Sequence, residues 1–233
     1  MTRPFLVGFA IAALALSGCG ADQSTDPPRD GARRVMNLWD ATGATSRIAS
    51  YRTELTNTIV KEAADHDDVF VAVLDGQPVT TAGLRDHNFA QAPPEMEGEE
   101  AAKANQAFAA GFAHQFIASF GAREAVAGSG QLEGLELAAR TPHVAEVMLW
   151  SDGIVNERGD GFDLSTASAN EVTAEIARWK PKLAGLHDVT VVIVGVGRGV
   201  HHLATVEEAH RLFTGLVDGN GGHLVWTPIL AQR

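Results

Sequence analysis

Short apolar runs alternate along this chain with segments whose apolar residues recur at helical spacing. The runs are nearly continuous, which is typical of strands that are buried on both faces. They cover residues 35–39, 69–74, 144–150, 189–196 and 223–226. The helical segments begin near Ile48, Val172 and Val206, and an alanine-rich stretch at about 98–120 adds a fourth. The pattern therefore predicts strands and helices in alternation.

Local signals predict some of the helix ends. The pair Ser168 and Glu171 matches the capping box, in which two side chains and two backbone amides satisfy one another at a helix N-terminus. Thr205 and Glu208 match the same pattern. Pro181 predicts a kink or an end to the helix that precedes it, because proline lacks the amide hydrogen that a helix interior needs.

Strands that alternate with helices predict parallel pairing through right-handed crossovers. Residues 33–233 are therefore expected to form one α/β domain, a doubly wound, mostly parallel sheet with helices on both faces. The segment 77–90, which contains Pro78 and Gly83, is expected to add an irregular antiparallel strand at one edge. In such sheets ligands bind beyond the carboxyl ends of the strands, so polar residues at strand ends are the candidates for a site.

The N-terminal residues have a different character. Residues 1–18 combine the basic Arg3 with an apolar run and small residues, as a secretory signal does. Residues 16–19, Leu-Ser-Gly-Cys, resemble the bacterial lipobox, which implies cleavage before Cys19 and acylation of that cysteine. Residues 19–32 are rich in proline and glycine and predict a flexible tether. We expect a lipoprotein of the bacterial cell membrane, on its extracytoplasmic side; an ordinary signal peptide with a free cysteine is the alternative.

Charge and cysteine content exclude some classes of partner. The formal net charge is −11, and it becomes −12 when Arg3 leaves with the signal. This charge argues against binding to nucleic acid or to anionic lipid head groups, so contact with the membrane is expected only through the N-terminal lipid. Cys19 is the only cysteine of the chain, and the fold must therefore be stable outside the cytoplasm without disulfides.

Three chain segments bring oxygen-bearing side chains to the predicted strand ends. The first strand is followed by Asp40 and Thr42, which would direct two oxygens to one point at the start of a helix, where an anion is favoured. Ser129 lies in a glycine-rich loop before a helix, and Asp152 follows a buried strand. Oxygen ligands of this kind suit Mg²⁺ or Mn²⁺. Taken alone, Asp40 also fits a helix N-cap, and Ser129 fits a turn.

The order and spacing of these residues resemble the von Willebrand factor A-type domain and its metal-ion-dependent adhesion site. That family carries an Asp-x-Ser-x-Ser motif after its first strand, a threonine in a glycine-rich loop and an aspartate after its fourth strand. The resemblance spans nearly the whole mature chain and implies a binding module without a catalytic step. Asp40, Thr42, Ser129 and Asp152 would ligate Mg²⁺ or Mn²⁺, and the open metal position would bind an acidic residue of a protein partner. Ala44 stands where the family has its second serine, which weakens the metal site and leaves a folded scaffold with a silent site as an alternative.

Enzymatic hypotheses arise from the same segments. Residues 40–43, Asp-Ala-Thr-Gly, are also similar to the opening of haloacid-dehalogenase-type phosphotransferases, in which the aspartate is a nucleophile assisted by magnesium. Such enzymes need a lysine between the two acidic loops, and after Lys61 only Lys103, in the alanine-rich stretch, is present. A serine hydrolase is disfavoured because Ser129 lacks the flanking glycines of a nucleophile elbow. The glycines at 195–199 do not have the spacing of a dinucleotide fingerprint.

Overall fold

The alternation of strands and helices in the sequence is present in the structure. A computed structural model describes residues 28, 32–41, 49–65, 67–74, 85–88, 98–120, 128–156, 161–195 and 202–227. Within these ranges the strands are β1 (Arg34–Asp40), β2 (Asp68–Leu74), β3 (Arg85–Asn88), β4 (Val144–Trp150), β5 (Thr190–Val194) and β6 (His223–Thr227). The helices are α1 (Ala49–Ala64), α2 (Gly98–Phe120), α3 (Gln131–Arg140), α4 (Ala169–Trp179) and α5 (Leu203–Leu216). Two 3₁₀ helices cover Lys180–Leu186 and Asp218–Asn220.

The strands pair in the order β3-β2-β1-β4-β5-β6. β1 is parallel to both β2 and β4, and β5 and β6 continue the parallel pairing beyond β4. β3, which falls within the segment 77–90, pairs antiparallel with β2. The prediction of an α/β fold on parallel strands is confirmed. The strand order reverses between β1 and β4, because the chain first extends the sheet on one side of β1 and then continues on the other.

Side chains of each central strand contribute alternately to two buried clusters, as a pleated strand requires. In β1, Met36 and Leu38 belong to one cluster, whereas Val35 and Trp39 belong to the other. All four side chains are buried. The continuous apolar runs of the sequence are explained by this arrangement, since a strand that is covered on both faces has few positions where a polar residue is tolerated.

Different helices supply the two clusters. α3, α4 and α5 contribute to the first, for example through Leu135, Val172 and Phe213. α1 and α2 contribute to the second, for example through Leu55 and Ala109. The apolar faces that the sequence predicts for α1, α4 and α5 are therefore the faces that the structure buries.

The two predicted capping boxes have opposite outcomes. Ser168 is the N-cap of α4, since its hydroxyl accepts a hydrogen bond from the Glu171 amide and its own amide donates to the Glu171 carboxylate at 2.7 Å. The hydrogen bonds from the Ser168 side chain and backbone lower the pKa of Glu171. The Thr205 prediction is wrong: α5 begins earlier, with His202 as its N-cap. The predicted end at Pro181 is confirmed, because α4 gives way there to a 3₁₀ helix.

The replacement Ser168→Ala is expected to lower the free energy of unfolding by about 1 kcal/mol, because the Glu171 amide loses its acceptor at the helix terminus. Urea unfolding followed by circular dichroism measures the loss. Thr205→Ala is the matched control: it removes a hydroxyl from the first turn of α5 without removing a cap, so the change should stay within about 0.5 kcal/mol. Equal losses in the two variants would contradict the assignment of Ser168 as the cap.

Some sequence predictions concern parts of the chain outside the described residues. These are the signal and most of the tether, the acylated Cys19, the loop residues Thr42 and Ala44, and the glycines after residue 195. α2 itself is described, but the side chains of its four phenylalanines are not. None of the described helices has the length and apolar content that a bilayer span needs.

Candidate binding site

The first strand ends on a buried carboxylate at the point where the strand order reverses. Asp40 is the last residue of β1 and is only 2 % exposed. Its register partner on β2 is Leu74, and on the other side the preceding residue of β1, Trp39, pairs with Trp150 at the end of β4. The carboxyl ends of β1 and β4 are the position at which open α/β sheets bind ligands.

Two side chains donate hydrogen bonds to the same oxygen of Asp40. The hydroxyl of Ser151, directly after β4, lies 2.9 Å from Asp40 Oδ2. The Nε2 atom of Gln131, the first residue of α3, lies 3.1 Å from the same oxygen. Both donors are 0 % exposed. Because α3 begins here, the positive end of its helix dipole also favours the carboxylate. Three elements of the fold thus position Asp40.

Gln131 bridges the two strand ends. Its Nε2 also donates to the carbonyl oxygen of Ile154, at 3.0 Å, in the loop that follows β4. These two acceptors fix the orientation of the amide, because a flipped amide would place oxygen against oxygen. Gln131 Oε1 is therefore a buried acceptor, and no donor reaches it from the described part of the chain. An acceptor left in this state costs about 1–3 kcal/mol, so a ligand or water that donates to Oε1 is favoured.

Ser129 is bound to the loop after β4. Its amide donates to the carbonyl oxygen of Asn156 at 2.6 Å, and its Oγ accepts a hydrogen bond from the Asn156 amide at 3.1 Å. Gly128 and Gly130, on either side, both have positive φ, which favours glycine and explains the Gly-Ser-Gly sequence. This turn fixes the start of α3 and hence the position of Gln131.

Asp152 shapes the same loop. The carboxylate is buried, and its Oδ1 accepts a hydrogen bond from the amide of Ile154 at 2.9 Å. The Oγ atom of Ser151 accepts a second one from the amide of Gly153, at 3.1 Å. Turns of this kind, closed by a side chain on its own backbone, hold a loop in one conformation. The loop can therefore present the Ile154 carbonyl to α3 in a fixed position.

The structure places three of the four predicted metal ligands at one edge of the sheet. Asp40, Ser129 and Asp152 lie at the end of β1, before α3 and after β4. The fourth, Thr42, lies outside the described residues, as does Ala44. Among the residues that are described, no three His, Cys, Asp or Glu side chains form a group that could hold a metal ion. A cation at this edge would therefore depend on hydroxyl, amide or water oxygens as well.

Sequence reasoning missed Gln131 and Ser151 as members of the cluster. Each has a weak signal, since Ser151 directly precedes a predicted ligand and Gln131 is a polar residue at the start of a helix. Neither signal shows that the side chain turns toward Asp40. That direction is set by the packing of α3 and of the loop after β4 against β1.

No protein-family model, curated protein or solved structure matches this chain. Its class rests on the fold and the site. The fold is α/β with a parallel sheet, and the site is a buried polar cluster where the strand order reverses.

Proposed function

We propose that this chain is a binding protein, anchored to the bacterial cell membrane by a lipid on Cys19, that binds a protein partner on the extracytoplasmic side. The binding surface is the crevice at the carboxyl ends of β1 and β4. The observation that carries the proposal is the cluster of Asp40, Gln131 and Ser151, three buried side chains fixed by mutual hydrogen bonds at the ligand position of open α/β sheets. A cluster that is already ordered loses little conformational entropy on binding.

The finer architecture that we propose is a doubly wound von Willebrand A-type domain, with helices on both faces of the sheet and an antiparallel edge strand. The strand order and the pairing of β3 support this architecture. The two clusters, which receive different helices, support it as well. The positions of Asp40, Ser129 and Asp152 relative to the strands follow the order in the family's adhesion site.

In this proposal Asp40, Thr42, Ser129 and Asp152 hold Mg²⁺, or Mn²⁺ in its place. The described ligands Asp40, Ser129 and Asp152 fit such an ion because they offer oxygen atoms. Gln131 Oε1, which no donor reaches from the described residues, can accept a hydrogen bond from a metal-bound water. The ion supplies a positive charge that binds an acidic side chain of the partner. Without the ion, the mature chain, whose formal net charge is −12 after Arg3 is lost, would repel that acidic side chain. No catalytic step is part of this function.

A magnesium-dependent phosphotransferase with Asp40 as the nucleophile is the rival hypothesis. A nucleophilic carboxylate must bring an oxygen to the phosphorus atom of its substrate. Asp40 is 2 % exposed, and its Oδ2 already accepts hydrogen bonds from Ser151 and Gln131. These contacts favour a supporting carboxylate over an attacking one.

Photocrosslinking in living cells tests the binding function. A photoreactive amino acid replaces Asn156, which is exposed beside the cluster, in the full-length lipidated chain. We expect a discrete crosslinked protein whose yield falls about tenfold or more in Asp40→Asn, since the loss of one charged contact corresponds to at least about 1.4 kcal/mol. An undiminished crosslink in Asp40→Asn would contradict binding through the crevice.

Asp65→Asn is the matched control for this experiment. Asp65 is exposed after the end of α1, at the opposite end of the sheet, so the substitution removes the same charge without touching the crevice. Its crosslink should equal that of the wild type. The purified full-length chain is also assayed with p-nitrophenyl phosphate, and a turnover that disappears in Asp40→Asn would favour the phosphotransferase.

A further inference from the structure

Gln131 Oε1, an acceptor without a donor among the described residues, indicates how a cation is bound in the crevice. We propose that Gln131 is an outer-sphere ligand of a hydrated divalent cation: its Oε1 accepts a hydrogen bond from a metal-bound water, while its Nε2 holds Asp40 in place. The inference rests on the cation site proposed above and adds the mode of binding, which is through water.

Three of the oxygen atoms that could coordinate a cation directly already accept hydrogen bonds. Asp40 Oδ2 accepts two hydrogen bonds, Asp152 Oδ1 accepts one, and Ser129 Oγ accepts one. Direct coordination at these atoms would compete with the bonds that hold the loops. A cation that keeps its waters avoids this competition, because bound water presents donors to the protein, and Mg²⁺ gives up its waters reluctantly.

A hydrated cation needs buried acceptors around it, and Gln131 Oε1 is one. The residue is 0 % exposed, and within the described ranges nothing donates to this oxygen. The amide bridges the end of β1 and the loop after β4, so Oε1 lies at the junction where the two predicted carboxylate ligands are found. A neutral acceptor adds direction without adding a further negative charge beside Asp40. Outer contacts of this type are known to control metal affinity.

The first test uses the wild-type full-length chain in detergent micelles and needs no variant. Calorimetry measures Mg²⁺ binding, and hexaamminecobalt(III) is then added as a competitor. This complex resembles a hydrated cation in presenting hydrogen-bond donors, but it does not exchange its ligands and cannot coordinate the protein directly. We expect it to displace Mg²⁺. Mg²⁺ binding that resists the competitor would overturn the inference.

The second test compares Gln131→Met with Ser151→Ala. Both substitutions remove one donor from Asp40 Oδ2, but only the first removes the Oε1 acceptor. Gln131→Met should weaken the binding of Mg²⁺ and of hexaamminecobalt(III) about 10- to 100-fold. Ser151→Ala should weaken the binding of each no more than a few-fold. Thermal melts confirm that both variants fold. Equal losses of cation affinity in the two variants would show that Gln131 acts only by positioning Asp40. An unchanged affinity in Gln131→Met would mean that Oε1 holds an ordinary buried water. Either result overturns the inference.

The outcomes separate this inference from the proposed function. If neither Mg²⁺ nor hexaamminecobalt(III) binds the wild type, the inference fails. A crosslinked partner that is lost in Asp40→Asn would still support a binding protein. If the cations bind as expected and no partner is crosslinked, the mode of cation binding stands and the partner function fails.

Discussion

The substitution Arg34→Met is expected to lower the free energy of unfolding by about 3–5 kcal/mol. Arg34 begins β1 and is 1 % exposed; its Nε and Nη2 donate to Asp68 Oδ2 at 3.1 and 2.9 Å. Asp68 is its register partner on β2 and is 7 % exposed. Methionine fills much of the space but leaves the Asp68 carboxylate buried without its guanidinium. Removing only one partner of a buried ion pair costs more than replacing both, because a buried charge is left uncompensated.

The same guanidinium also joins a third part of the fold. Its Nη1 donates to the carbonyl oxygen of Pro142, at 2.8 Å, in the turn before β4, and its carbon lies 5.2 Å from the ring centroid of Phe70. Arg34 thus connects β1, β2 and the start of β4 at the amino ends of these strands, which is the end of the sheet opposite the crevice. At about 2–4 °C per kcal/mol for a chain of this size, the melting temperature should fall by about 6–20 °C.

Equilibrium urea unfolding measures the effect, with Arg140→Met as the control. Arg140 is exposed on α3 and lies 3.7 Å from Glu136, so its loss should cost less than about 1 kcal/mol. The double variant Arg34→Met with Asp68→Asn should recover part of the loss, because it removes the stranded charge. If Arg34→Met costs no more than Arg140→Met, the buried pair does not stabilise the fold.

Much of the fold could be predicted because burial on both faces leaves a direct trace in the sequence. A buried strand such as β2 must be apolar at nearly every position, and a helix on the sheet must be apolar along one face. Short motifs are less reliable. The capping box at Ser168 is present in the structure, while the same pattern at Thr205 does not cap α5, because a four-residue motif does not determine where the helix begins.

The site could be predicted only in part, for a related reason. Asp40, Ser129 and Asp152 follow strands or lie in a glycine-flanked loop, and such positions are visible in the sequence. The partners of Asp40 are not, since Gln131 and Ser151 are 91 and 111 residues away along the chain. Only the packing of α3 and β4 against β1 brings these side chains together.

One polar residue within an apolar run belongs to an internal network of hydrogen bonds. Asn37 lies in the middle of β1 and is fully buried. Its Nδ2 donates to Glu62 Oε2 at 2.8 Å, and its Oδ1 accepts a hydrogen bond from Trp150 Nε1 at 3.0 Å. A buried amide requires partners of this kind. The sequence implies that such partners exist, but it does not identify the carboxylic acid on α1 or the indole on β4.

Glu62 is expected to make the stability of the fold depend on pH. Burial raises the pKa of Glu62 from 4.5 to about 8, although the hydrogen bond from Asn37 lowers it. The negative charges of Glu146 and Asp67 raise the pKa, and the positive charge of Arg33 lowers it. The folded protein therefore retains the proton of Glu62 at neutral pH, whereas the unfolded chain releases it.

The direction of the effect follows from this difference in pKa. A group whose pKa is raised on folding stabilises the fold fully below its unfolded pKa and loses that contribution as the pH rises toward the folded pKa. For Glu62 the contribution is complete below pH 4.5 and is lost by about pH 8. Each pKa unit is equivalent to about 1.4 kcal/mol, so the expected loss is on the order of 3–5 kcal/mol.

Glu62→Gln isolates this contribution, because glutamine keeps a neutral side chain at every pH and its oxygen can still accept from Asn37. Other titrating groups are common to both proteins and cancel in the difference. Urea unfolding from about pH 5 to about pH 8.5 should show similar stabilities at the acidic end and a variant that is more stable by several kcal/mol at the basic end. Glu207→Gln, at an exposed position of α5, is the control. The difference in free energy of unfolding between this variant and the wild type should change much less with pH. A difference between Glu62→Gln and the wild type that stays constant over this range would mean that Glu62 is ionised in the fold, and the hydrogen bond from Asn37 would then be a bond to a buried carboxylate.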